Sequence, residues 1–156
     1  MPHPAPAHKS FADRNSLYQE ITGKIIADLE QGRVPWVQPW GNVAAPLGLP
    51  KNAATGRCHE LGHWSGHASR LNRDLSGGFG SPAYAREELI AEMTSAFVCA
   101  ALSIVPTVRY ADYLGSWLDV LREDNRAIIR AASAASKAAD YLLAFRGGDP
   151  APGSGG

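Results

Sequence analysis

The chain has 156 residues, 45% of them hydrophobic, and its 15 basic and 15 acidic side chains cancel at neutral pH. That length supports one modest core, or one core with a small appendage, and the balanced charge excludes a global field drawing the chain to nucleic acid or to a membrane surface. Two cysteines make no disulfide framework; Cys58 beside a histidine and Cys99 inside an apolar run suit a reducing cytoplasm, the expected location.

The opening "MPHPAPAHKSFADRN" is rich in Pro and Ala and has no apolar signal core, so residues 1–12 read as a disordered arm. No apolar run is long enough to cross a bilayer, and no membrane partner is expected. A helix is expected over "SLYQEITGKIIADLEQG". Ser16 and Gln19 form a capping box, Leu17, Ile21, Ile25 and Leu29 make one apolar stripe, and Gly32 supplies the stop. Residues 33–57 carry Pro, Gly and Asn at short intervals and read as an irregular connector.

From Cys58 onward the pattern is helical. The first helix should carry His59 to about Gly66, with Thr55 as the nearest cap and His59 therefore in the opening turn. "LNRDLSGGFGSP" reads as a loop, and Pro82 is placed to start a helix that ends before Pro106. A third helix is expected over "RYADYLGSWLDVLRE", then a fourth, capped by Asp124, over "NRAIIRAASAASKAADYLLAF". "RGGDPAPGSGG" is a flexible end. No segment alternates as a strand does, so the expected fold class is mainly α.

His59, Glu60 and His63 spell H-E-x-x-H. Residues four apart share a helix face, so both imidazoles can reach one ion while Glu60 projects beside it. Zinc suits neutral imidazole nitrogen, and three protein ligands leave a position for a water whose pKa the metal lowers to about 7. Glu60 would take that water's proton and later return it to the leaving amine. Two sources for the third ligand stay open. A local one is weak: Gly66 stands where a metzincin helix turns, but residue 69 is serine, and His67 lies about one turn beyond His63. "EELIAE" offers carboxylates instead. Glu88 and Glu92 share a face at i, i+4, so Glu88 could bind zinc while Glu92 fixes the tautomer of a ligand histidine. Glu87, about 100° around the same helix, is expected in solvent.

Trp36 and Trp40, near Arg33, Lys51 and Arg57, could stack single-stranded bases between cations; the competing expectation is that both tryptophans pack on the first helix. Tyr84, Tyr110 and Tyr113 could donate to an oxyanion if they faced the metal. Arg122, Arg126 and Arg130 form a basic stripe, either a solvated face or a phosphate-contacting one.

"HELGHWSGHASRLNRDLSGGFGSPAYAREELIAE" and "SWLDVLREDNRAIIRAASAASKAADYLLAF" together resemble the zincin-like metallopeptidase domain of the ArdC family of plasmid antirestriction proteins. "LYQEITGKIIADLEQGRVPWVQPW" with "LPKNAATGR" resembles the opening of that family's single-stranded-DNA-binding domain. The resemblance implies one zinc in a gluzincin-type site, with His59 and His63 as ligands, Glu88 as third ligand and Glu60 as base. It also implies protection of incoming plasmid DNA from host restriction during conjugation. In the family a large segment separates "TGR" from "HELGHW"; here only Cys58 stands between them, so the chain resembles a member with an internal deletion. The implied architecture is a remnant of the DNA-binding domain over 13–56, a zincin-like helical domain over 57–146 and a tail over 147–156. The expected function is a zinc metallopeptidase-like antirestriction protein whose turnover is impaired by that loss. The alternative is a non-catalytic protein with a structural zinc that binds single-stranded DNA or a restriction-system partner.

Overall fold

The structure, a computed structural model, describes residues 11–36, 51–104 and 113–147, and side chains from Arg57 onward in the second of these spans. Its elements are α1 (Phe11–Glu30), α2 (Lys51–Ser65), α3 (Pro82–Ala101), α4 (Leu114–Glu123) and α5 (Ala127–Ala144), closed by a 3-10 turn over Phe145–Gly147. The architecture is mainly α, and no strand occurs among the described residues.

Helix α3 is the centre. It packs against α2, α4 and α5, which is why residues around most of its circumference are buried, from Ala85 and Leu89 to Met93, Val98 and Cys99. Its start is set chemically. Ser81 is the N-cap and accepts from the Tyr84 amide, while Pro82 opens the helix where its missing N–H leaves no bond unmade. The main core lies between α3, α4 and α5 around Leu89, Trp117, Leu121 and Ile128, and takes in Leu29 and Val34 from α1 and the segment after it. A smaller cluster joins Cys58 of α2 to Val98, Cys99 and Ala139.

Helix α1 ends at the expected glycine. Gly32 has φ +71°, its amide bonds the Leu29 carbonyl, and the Arg33 amide bonds that of Asp28, the two-bond closure that favours glycine at this position. Its start differs from expectation. The helix begins at Phe11, so Ser16 lies inside it and forms no capping box, and the expected arm is shortened. Thr22 donates to the Asn125 carbonyl and Asn125 to Asn15, which docks α1 on the turn between α4 and α5.

Helix α2 corrects the connector. It starts at Lys51, eight residues before His59, so that histidine sits two turns inside the helix rather than in its fraying first turn. The expected line between residues 56 and 57 therefore falls within one helix. Asp124 is not the cap of α5 either. That position is held by Arg126, whose amide bonds the Asp124 carboxylate across a tight turn. The third predicted helix is shorter, beginning at Leu114, and Tyr110 lies outside the described residues.

Close approach of α2 to α3 needs one glycine. A Cβ on Gly62 would stand 3.0 Å from the Ala91 Cα and 3.2 Å from its carbonyl oxygen. Gly62→Val is therefore expected to lower stability by about 1–3 kcal/mol through overpacking, as measured by urea denaturation.

Candidate metal centre

Helices α2 and α3 face each other with ionisable side chains in the buried seam. From α2 come His59 and His63, one turn apart; from α3 come Glu87, Glu88 and Glu92. The two imidazole Nε2 atoms are 3.1 Å apart. Glu88 closes the group, with Oε2 3.3 Å from His59 Nε2 and Oε1 3.4 Å from His63 Nε2. One donor atom from each of these three residues lies within 4.8 Å of the others.

The other ring nitrogens are also engaged. His59 Nδ1 lies 3.2 Å from Glu92 Oε2, and His63 Nδ1 lies 3.3 Å from Glu87 Oε1. An ionised carboxylate only accepts, so each contact favours the tautomer with hydrogen on Nδ1 and leaves the Nε2 lone pairs directed at each other and at Glu88. Lone pairs so close repel unless a proton or a cation lies among them. Burial penalises charge on both rings, yet hydrogen bonding to Glu88 and Glu92 lifts His59 to about 9, and bonding to Glu87 and Glu88 lifts His63 to about 9. Glu88 is 5% exposed; burial alone would raise its carboxyl, but His59, His63 and Tyr84 hold it well below the usual range. Apart from the 3.3 Å contact with His59 Nε2, its buried Oε2 has no hydrogen-bond partner among the described residues. Two directed imidazole nitrogens and a buried carboxylate oxygen that meets no other donor form a set that fits a divalent metal.

Glu87 departs from expectation. It is buried rather than solvated, because the Arg73 guanidinium meets it with two bonds, Nε to Oε2 at 3.0 Å and Nη2 to Oε1 at 2.7 Å. Bonding to His63 and Arg73 outweighs burial and keeps the Glu87 carboxyl below its ordinary range. Arg73 was not legible from spacing. The available signal was the turn that delivers it: Gly66, then Asn72 at φ 46°, a conformation asparagine tolerates.

His67 is not part of the group; it is exposed, and its Nδ1 is 2.8 Å from the Ser69 hydroxyl. Glu60 is exposed on α2 and makes no hydrogen bond or ion pair among the described residues. The Tyr84 hydroxyl lies 3.4 Å from that of Tyr113; this contact, burial and the neighbouring Glu88 carboxylate push its pKa far up.

Of the residues considered for nucleic acid, those described do not form one surface. Trp36 packs edge-on against Trp117 with ring centres 5.7 Å apart, so it belongs to the core. Arg33 pairs with Asp28, and Arg57 is exposed. Trp40 and the Lys51 side chain lie outside the described residues. The basic stripe is largely neutralised: Arg122 pairs with Glu30, Arg130 with Asp124, and Arg126 lies over the Tyr18 ring.

Residues 50–134 match the model of a zincin-like metallopeptidase family, and residues 15–62 match that of the N-terminal domain of the anti-restriction factor ArdC. The chain belongs to the zincin-like metallopeptidase family. Among solved structures, this zincin-like chain is 39% identical to the metal-free crystal structure of antirestriction ArdC from plasmid R388, with a TM-score of 0.57 over 64% of this chain and 36% of that one. It shares the fold of the Mn(II)-bound ArdC structure from the same plasmid, with a TM-score of 0.66 over 82% of this chain and 97% of that one at 23% identity. Its curated relatives include a DNA primase TraC of Escherichia coli, 51% identical over 88 residues covering 56% of this chain and 6% of that protein. Another is protein y4eC of Sinorhizobium fredii (strain NBRC 101917 / NGR234), 52% identical over 88 residues covering 55% of this chain and 29% of that protein. The zincin-like chain thus spans less than a third of these relatives' length. Its two family matches overlap over 50–62, and residues 51–62 of that overlap lie in α2.

Proposed function

We propose that this chain is a zinc-binding, metallopeptidase-type antirestriction protein that protects incoming plasmid DNA, with peptide hydrolysis weakened by loss of the family's central segment. The observation that carries the reading is the convergence of His59 Nε2, His63 Nε2 and Glu88, with both Nδ1 atoms already bound to carboxylates. A nitrogen-rich set with one carboxylate suits zinc, and manganese is the ion of the similar R388 protein.

His59, His63 and Glu88 would hold the metal. When bound, zinc supplies Lewis acidity toward a peptide carbonyl. Glu92 and Glu87 keep the two rings in the tautomer that offers Nε2. Glu60, the neighbour of His59 on α2 and open to solvent, would serve as the base that takes a proton from the attacking water. Tyr84, which neighbours Glu88, would be a further hydrogen-bond donor at the same centre. Weakened turnover is supported by the family matches. They represent an N-terminal domain and a peptidase domain, yet they overlap and leave no residues between them to build a substrate-binding wall.

Glu60→Gln tests this reading. The variant is expected to retain wild-type zinc stoichiometry while residual peptide hydrolysis falls by roughly 10²-fold or more. Undiminished protection of DNA in a restriction assay with that variant would overturn the enzymatic account. A second reading, a non-catalytic single-stranded-DNA-binding protein or restriction-partner binder with a structural zinc, draws on the match to the ArdC N-terminal domain and on the exposed Arg57. It requires a salt-sensitive gel shift with single-stranded DNA that Arg57→Ala weakens.

A further inference from the structure

We infer that Arg73 is a positioning residue that makes the centre asymmetric, fixing His63 as the rigid ligand and leaving His59 as the pliable one. The inference rests on the metal-centre reading for its consequence, but the clamp itself is a feature of the protein alone.

The argument starts from the two outer carboxylates. Glu92, behind His59, has 17% of its side chain exposed, and no guanidinium holds it among the described residues. Glu87, behind His63, is 9% exposed and is gripped by both Nε and Nη2 of Arg73. Arg73 is itself fixed at further points. Its Nη1 donates to the Ser65 hydroxyl at 3.0 Å and its Nη2 to the Gly62 carbonyl at 2.6 Å, both at the C-terminal end of the helix carrying His63. The Ser65 hydroxyl in turn donates to that same Gly62 carbonyl at 2.6 Å.

One guanidinium therefore ties three things together: the end of α2, the Glu87 carboxylate on α3 and, through it, the His63 ring. Space is shaped for it. A Cβ on Gly66 would stand 2.7 Å from Nη2 and 2.9 Å from Cζ, so the guanidinium passes through a gap that a glycine keeps open. A planar fork with donors on two edges can satisfy this set, whereas an ammonium could satisfy only part of it. Arg73 pins both oxygens of Glu87, including the Oε1 that His63 Nδ1 meets, so the carboxylate is kept from swinging and the imidazole bonded to it is held in turn. No guanidinium holds Glu92 among the described residues, and His59 keeps that freedom.

The test uses the full chain. In the unmodified protein, solvent exchange of the two ring Nδ1–H protons is measured by nitrogen-edited NMR, without metal and with zinc. The His63 proton is expected to exchange at least tenfold more slowly than that of His59 in both states. Equal rates, or a slower His59, would overturn the inference. Arg73→Met, which keeps most of the stem and removes the donors, is expected to weaken zinc binding by roughly 10- to 100-fold in competition with a chelator, with Glu87→Gln giving a loss of the same order. Arg73→Lys should recover part of the Met variant's loss. A merely structural arginine would lower the melting temperature of the metal-free protein and leave the zinc affinity of the folded variant within twofold of wild type, and that result would also overturn the inference. If the unmodified protein takes up no zinc, the metal-centre reading fails, while the metal-free exchange rates still decide whether the clamp exists.

Discussion

Glu88→Ala is expected to abolish stoichiometric zinc binding at micromolar protein concentration while leaving a folded, helical chain. Structural zinc sites with four ligands in small peptides are worth about 10–16 kcal/mol, so one ligand corresponds to roughly 2.5–4 kcal/mol, or about two to three decades in affinity. Glu88 is placed to show the full effect. It contacts both Nε2 atoms, its Oε2 has no other hydrogen-bond partner, and His67 is turned away to Ser69 and cannot replace it. The two outer acids are already committed to Nδ1 atoms, so neither is free to move inward. Metal content of the purified variant, measured against wild type by atomic emission, checks the expectation. Equal zinc in both proteins would remove Glu88 from the centre. Glu88→Gln gives a sharper comparison, because it preserves volume and one carbonyl oxygen while losing the charge. It should fold as wild type does and still lose most of the affinity, since the carboxylate is the only ligand of the three that brings negative charge to the cation.

The ligand pattern was legible in the sequence because it obeys one period. His59 with His63, and Glu88 with Glu92, are each four apart, and that spacing alone puts them on common faces of two helices. The glycine stop at Gly32 and the serine–proline start at Ser81–Pro82 were legible for a similar reason: each residue type meets a local backbone requirement. What spacing could not supply was the outer half of the site. Glu87 looked like a solvated acid because a helix wheel turns it away from Glu88. But α3 is packed on several sides, and a guanidinium from a loop fourteen residues upstream makes the burial of that carboxylate tolerable. Long-range pairs of this kind leave no periodic trace. The helix starts were misread in the opposite direction. Ser16 and Gln19 have capping-box spacing, yet the preceding residues from Phe11 continue the helix. Likewise Thr55 and Gly56 look like a break, but α2 runs through them from Lys51.

Trp117→Ala is expected to be the most damaging single substitution for the fold, with a loss of about 3–5 kcal/mol. The side chain is 1% exposed and is the largest of the fully buried ones. It stacks on Tyr113 with ring centres 6.2 Å apart and meets Trp36 edge-on, so truncation opens a cavity between α4 and the segment after α1. Small domains have about 5–15 kcal/mol of stability in all, so the variant would lose from about a fifth to all of it. The effect on the metal centre should differ from the effect on the fold. No ligand comes from α1 or α4; the histidines and acids lie on α2 and α3, and a separate small cluster of Cys58, Val98, Cys99 and Ala139 helps hold the elements around them. Zinc bound only by the native state adds RT ln(1 + [Zn]/Kd), about 4 kcal/mol at a thousandfold excess over Kd. The metal-free variant should therefore unfold at a markedly lower urea midpoint than wild type, and saturating zinc should restore most of the difference. Failure of zinc to raise the midpoint would show that α4 and α1 are needed to hold the α2–α3 pair together. The zincin-like seam would then depend on the helix contributed by the N-terminal family segment, as the shared core of Leu29, Val34 and Trp117 allows.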